Sequence, residues 1–190
     1  MSLDFICERT FQVNGLTLSA KEWGSPGYTP VIALHGWLDN AASFDLMMPH
    51  LSDMHVIALD CAGHGNSGWR SADSGYNIWQ DIGEVFAVAD QLGWSQFGLL
   101  GHSRGAIIST LIAGTFPERV THAALIDGYL PGLADTTGSA KQMAKSVYEN
   151  KRFSASTPSF FPDYDSAVQA RMSGFISLNQ EAATVLAKRG

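Results

Sequence analysis

Phe97-Gly98-Leu99-Leu100-Gly101-His102-Ser103-Arg104-Gly105-Ala106-Ile107-Ile108 is the stretch whose reading decides the fold. A short apolar run enters a serine flanked by glycines, and an apolar run of helical character leaves it. That is the form of a nucleophile elbow, a sharp strand-to-helix turn that holds a serine hydroxyl above the edge of a sheet. Glycines on both sides remove the Cβ atoms that would clash where the backbone doubles back. The first N–H groups of the following helix have no partner within it and point, with the positive end of the helix dipole, at any oxyanion formed there. The plainer alternative is a serine that only caps a helix.

Working outward, Val31-Ile32-Ala33-Leu34 and His55-Val56-Ile57-Ala58-Leu59-Asp60 are continuous apolar runs, as expected of strands buried on both faces. A helix is expected between them, from about Ala41 towards His50, which makes a βαβ unit and a largely parallel sheet. Upstream, Phe11-Gln12-Val13 and Leu16-Thr17-Leu18-Ser19-Ala20 flank Asn14-Gly15, a hairpin signal. A helix capped by Asn77, with Gln80 as capping-box partner and Gly93 closing it, precedes the elbow. After the elbow helix, Val120 to Asp127 reads as another buried strand ending in an acid. Pro131 and Gly132 then break the chain, and the remainder reads as helical pieces at about 139–150, at 165–173, and after Ser177 with Gln180 as capping-box partner, with Lys188-Arg189 in the last turn. The expected division is therefore an α/β core over 1–130, with about six strands, and a helical cap over 131–190.

With 190 residues, 16% charged and 45% apolar, the composition is that of a folded globular chain. A net charge of −6 and the lack of any basic cluster longer than a pair exclude a nucleic-acid surface. Cys7 and Cys61 are too few for a disulfide framework. No signal peptide or membrane-length apolar run is visible, so no membrane partner is expected and a cytoplasmic setting is the default. Gly63-His64-Gly65-Asn66-Ser67-Gly68 matches a dinucleotide fingerprint in letters only, because more loop follows it where a helix is required. No cofactor is implied, and no metal, since no His/Cys/Asp cluster has ligand spacing.

Three motifs in order, His35-Gly36-Trp37, Asp60-Cys61-Ala62-Gly63-His64-Gly65-Asn66-Ser67 and Gly101-His102-Ser103-Arg104-Gly105, resemble the α/β-hydrolase fold family. His-Gly-Trp-Leu-Asp-Asn-Ala-Ala-Ser-Phe-Asp at 35–45 resembles its serine hydrolase-like branch. The resemblance implies that Ser103 is the nucleophile and that the backbone N–H groups of Trp37 and Arg104 form the oxyanion hole. His35, Gly36, Asp60, His64, Gly101, His102 and Gly105 then support the loops. Asp127 stands where some members carry the triad acid and others do not, and its alternative role is to cap the chain entering the helical segment. Arg104 departs from the apolar or amide residue usual after the nucleophile, and it pairs either with a substrate carboxylate or with a nearby surface acid, the latter being favoured.

In that family the order is serine, acid, then histidine. The only histidine after Ser103 is His122, at the far end of its strand. The expected catalytic histidine and two further strands would lie beyond Gly190, so the chain reads as a fragment with little triad-based turnover, whose sixth strand would present an apolar edge. The expected activity of the complete form is hydrolysis of a carboxylic ester or related acyl compound, a small-molecule substrate, through an acyl-enzyme. Met143, Phe153, Phe160, Phe161, Met172 and Phe175 would supply a lid or simply the cap's own core. The alternatives are a catalytically inactive binding protein on the hydrolase fold, or carbon–carbon hydrolysis or acyl transfer on the same scaffold.

Overall fold

The computed structural model describes residues 4–71, 74–128, 136–154, 160–174 and 177–190. Pro131, Gly132 and Phe175, singled out from the sequence, lie outside these residues. Strands β1 (Phe5–Val13) and β2 (Leu16–Gly24) form the expected hairpin. Asn14 and Gly15 both take positive φ, 51° and 81°, the conformation a two-residue turn between right-twisted strands requires.

β3 (Thr29–Leu34), β4 (Met54–Leu59), β5 (Phe97–His102) and β6 (Val120–Ile126) complete a six-stranded sheet of order β1-β2-β4-β3-β5-β6. β1, β2 and β4 pair antiparallel, whereas β4, β3, β5 and β6 run parallel. The continuous apolar runs follow from this placement. On β3, Ile32 and Leu34 join a core with Leu18, Ile57 and Ile108, while Val31 and Ala33 join a second core with Phe44, Met48 and Val56 on the opposite face. The first face is covered by α1 (Ile78–Gln91) and α2 (Arg104–Thr115), through Val85, Val88, Ile108 and Ile112. Asn77 and Gln80 form the expected capping box on α1, and Gly93 follows it at φ 72°.

Two expectations need correction. Residues 41–50 are not one α-helix but two 3₁₀ turns, Ala41–Phe44 and Met48–His50. Pro49 explains the break, because it has no N–H to donate to Asp45 O, whereas at the start of the second turn that missing N–H costs nothing. β6, whose composition reads as that of a buried strand, forms the apolar edge also expected of it: among the described residues it pairs with β5 alone, and Leu125 and Ile126 are 41% and 40% exposed. An apolar edge of this kind is a template for further strand pairing. Finally, the last helix is capped by Asn179, which accepts from Ala182 N, rather than by Ser177, and Arg189 lies past its end.

After β6 the described residues are helical, in α3 (Ser139–Ser154), α4 (Tyr164–Met172) and α5 (Gln180–Ala187). α4 and α5 share a small core of Ala167, Val168, Ala183 and Ala187, against which Met172 packs, whereas Met143, Phe160 and Phe161 are exposed. α5 is fastened to the sheet domain by polar groups: Asn40 Nδ2 donates to Leu186 O at 3.0 Å, and Arg189 reaches Asp60.

Candidate active site

Parallel pairing places Leu34 beside Gly101, so the loop after β3 and the turn after β5 emerge together at one edge of the sheet. This is where open α/β sheets bind ligands. The turn is built on missing side chains. A Cβ at Gly101 would lie 2.5 Å from Gly105 O, and one at Gly105 would collide with Leu34 O and stand 2.8 Å from Leu34 Cβ. Ser103 takes φ 49°, ψ −111°, a conformation L-residues rarely adopt, and its hydroxyl makes no capping hydrogen bond. Its N–H donates to Ile126 O at 2.9 Å, while its carbonyl accepts from Ala106 N and Ile107 N at 3.0 and 3.2 Å. The backbone of Ser103 is thus committed and its Oγ is left over. Strain of this kind, about 1–3 kcal/mol, persists only where the surroundings fix it, and such sites are commonly functional.

The chain leaving β6 passes against the same turn. A Cβ at Gly128 would lie 2.6 Å from Ser103 O, which puts Asp127, itself at φ 48°, next to the elbow. Among the described residues the Asp127 carboxylate has no hydrogen-bond partner, and no histidine nitrogen bonds to Ser103. His122 is four positions before Ile126, whose partner across the ladder is His102, so it stands roughly 13 Å back along β6.

The other site residues form the supports of the loops. His35 is buried; its Nδ1 donates to Gly36 O at 2.7 Å and its Nε2 accepts from Cys61 N at 3.0 Å, tying the loop after β3 to the loop after β4. Asp60, wholly buried, accepts from Ala41 N (2.7 Å) and Asn66 N (3.0 Å). Gly36 leaves room for the His102 ring, since a Cβ there would stand 3.0 Å from His102 Nδ1. Asp39 lies 3.9 Å from His102 and 3.1 Å from Arg171 of α4, which also donates to Leu38 O. His64 Nδ1 bonds Ala62 O, and its ring meets those of His35 and Trp37 at 5.2 and 5.4 Å.

Arg104 pairs with Asp81, which is only 5% exposed, so the partner is a buried helix acid instead of a surface one. The signal for it was in the sequence: Asp81 stands four and seven residues before Val85 and Val88, on the buried face of α1. An acid at such a position needs a cation. Arg70 answers Glu84 in the same way, at 2.7 Å.

Burial pushes the His35 imidazolium down to a pKa of about 3, against the opposing bond to Gly36, and likewise lowers His64. Burial also pushes the Cys61 thiol up to about 12, which leaves it an inert packing group. The unfolded chain therefore binds a proton at His35 below about pH 6.5 that the folded chain refuses until about pH 3. Stability from this group is fully present above pH 6.5 and falls as the pH drops through that window, by about 1.4 kcal/mol per unit. Urea unfolding between pH 6 and 4 is expected to show this slope, and His35→Gln to flatten it by about that amount. Equal slopes would mean that folded His35 accepts the proton. Among the described residues no group of His, Cys, Asp and Glu is arranged to hold a metal ion, and no helix is long and apolar enough to cross a membrane.

Residues 29–176 match the family described as alpha/beta hydrolase fold. The chain is 41% identical over 111 residues to the human "Serine hydrolase-like protein", covering 58% of this chain and 55% of that one. It is 31% identical over 179 residues to the "Probable serine hydrolase" of Drosophila melanogaster, covering 92% and 54%. A crystal structure of a hypothetical protein from Pseudomonas aeruginosa superposes with a TM-score of 0.91 at 40% identity, over 97% of this chain and 66% of that one. The chain thus spans about half the length of these two curated relatives.

Proposed function

The chain belongs to the alpha/beta hydrolase fold family, serine hydrolase-like branch, and from that premise we propose that it carries the nucleophile and oxyanion hole of a serine hydrolase acting on a carboxylic ester or related acyl compound. Ser103 Oγ attacks the acyl carbon, and the N–H groups of Trp37 and Arg104 receive the negative oxygen that forms there. The alcohol leaves as the acyl group bonds to Ser103, and water then releases the acid. The observation that carries this reading is the conformation of Ser103, held at φ 49° with no capping role for its hydroxyl. A helix cap needs neither feature.

A serine hydroxyl is a poor nucleophile until a base takes its proton. The reading assigns that base to a histidine outside residues 1–190 and leaves Asp127 as the candidate third member of the triad. The position of Asp127 beside the elbow supports this. A cytoplasmic setting belongs to the same reading, in keeping with two unpaired cysteines, Cys7 and Cys61. The lack of a histidine on Ser103 among the described residues also favours a second reading, a hydrolase-fold protein that binds acyl compounds without turning them over.

A fluorophosphonate probe separates the two. In the full-length protein containing this chain, Ser103 is expected to be labelled and Ser103→Ala to abolish the labelling. A folded full-length protein whose Ser103 stays unmodified under conditions that label a control esterase would rule out the hydrolase and leave the binding protein.

A further inference from the structure

The two residues proposed to supply the oxyanion hole also meet through their side chains. Resting on the reading above, we infer that Arg104 is a positioning residue whose guanidinium clamps the Trp37 indole and so fixes the distance between the two N–H donors. Arg104 Cζ stands 5.5 Å from the centre of the Trp37 ring, within the ~6 Å over which a cation is held by an indole face. The guanidinium is anchored from behind by its ion pair with Asp81 of α1. Arg70, 3.7 Å from Asp81 and 2.7 Å from Glu84, continues the alternation of charge. All four side chains are at least four-fifths buried, an arrangement that leaves no charge of the group unmatched. On its other contact, Trp37 meets the His64 ring at 71°, edge to face.

Such a grip has a function here because the strands alone do not supply one. Pairing of β3 with β5 fixes the two segments only as far as Leu34 and Gly101. Beyond that level the loop runs out to Leu38, at φ 63° and two-thirds exposed. Trp37 as a residue is 45% exposed, yet its indole is held between Arg104 and His64. Removing one oxyanion donor costs about 10²–10³ in kcat, so a modest displacement of the loop is costly. The rival role, capture of a substrate carboxylate, is disfavoured because Asp81 already answers the Arg104 charge.

The test uses the full-length protein with p-nitrophenyl butyrate and p-nitrophenyl hemisuccinate. Arg104→Met is expected to lower kcat about 10- to 100-fold on the neutral ester with KM within about twofold, since the contact acts on the transition state only. Arg104→Lys should recover part of this, because an ammonium still pairs with Asp81 and is drawn to the indole. Trp37→Leu should cost a similar factor, and the double variant no more than the worse single one. Multiplying losses would overturn the clamp, as would a KM rise confined to the hemisuccinate. A second readout is independent of turnover: acrylamide quenching of Trp37, taken as the difference from Trp37→Phe, is expected to rise about twofold in Arg104→Met. Unchanged quenching would overturn the clamp while leaving the hydrolase reading intact. Raised quenching in a full-length protein inert to both esters and to fluorophosphonate would uphold the contact and sink the hydrolase reading instead.

Discussion

Gly105→Ala is expected to destabilise the chain by about 4 kcal/mol or more, an effect most single substitutions do not approach. The added methyl would enter the carbonyl of Leu34, and it would also lie 2.5 Å from Leu34 C and 2.8 Å from Leu34 Cβ. None of these is the movable tip of a side chain. Leu34 is fully buried in β3, hydrogen-bonded on both sides, so relief requires α2 to move off the sheet. Overpacking that a core absorbs by rotamer changes costs about 1–3 kcal/mol, and a backbone collision belongs above that range. Gly114→Ala, in the same helix, is the control. A Cβ there meets nothing within 4 Å, and alanine is the better helix former by about 1 kcal/mol. Urea midpoints should therefore move in opposite directions for the two variants. A Gly105→Ala protein as stable as Gly114→Ala would show that the close approach at the elbow is not what the glycine is for.

That opposition also shows what the sequence can and cannot say. Both are glycines in or beside an apolar helix, and only the pattern with Gly101 and Ser103 marks one as a crossing point. The fold was legible because it rests on local signals of this kind. Asn14-Gly15 demanded positive φ, Asn77 with Gln80 demanded a helix start, and unbroken apolar runs demanded strands covered on both faces. Where a signal was outweighed, the reason is equally local: Pro49 broke the expected helix at 41–50. In β6, Ala123-Ala124-Leu125-Ile126 has the composition of a strand with neighbours on both sides, in keeping with the further strands expected after it, and among the described residues it is an edge. The partnerships at the site were the least legible. Arg104 with Asp81, Asp39 with Arg171 and Asp60 with Arg189 join residues whose separation in the chain carries no period, and only the misplaced acid on α1 announced its need.

Arg189→Met tests the most deeply buried of those partnerships and is expected to cost about 3–5 kcal/mol at neutral pH, the range for stripping the partner from a buried ion. Asp60 has no exposed surface and the Arg189 side chain is 7% exposed; Nε lies 2.9 and 3.1 Å from the two Asp60 oxygens, and the two terminal nitrogens bond Glu8 at 2.7 and 2.8 Å. Burial works against the Arg189 cation, yet the Glu8 and Asp60 carboxylates hold its pKa above the ordinary arginine value. Burial pushes the Asp60 carboxyl upward even with Ala41 N–H, Arg189 and Asn66 N–H opposing it. Without Arg189 that push is less opposed. A carboxyl whose folded pKa lies above its unfolded value stabilises the fold when protonated and loses that contribution as pH rises. The deficit of the variant should therefore be largest at pH 7 and shrink as the pH falls towards 4 and Asp60 takes a proton. Asp60→Asn combined with Arg189→Met should be less destabilised than Arg189→Met alone, because the amide still accepts one loop N–H and leaves no buried charge. Glu8→Gln should cost under about 1 kcal/mol, since Glu8 is 51% exposed. A pH-independent loss in Arg189→Met would instead locate the effect in the packing of α5. The distinction bears on the site, because Asp60 also holds Ala41 N, five residues after Gly36 in the loop that carries Trp37. If the charge is what matters, α5 and the loop that carries Trp37 stand or fall on one buried carboxylate.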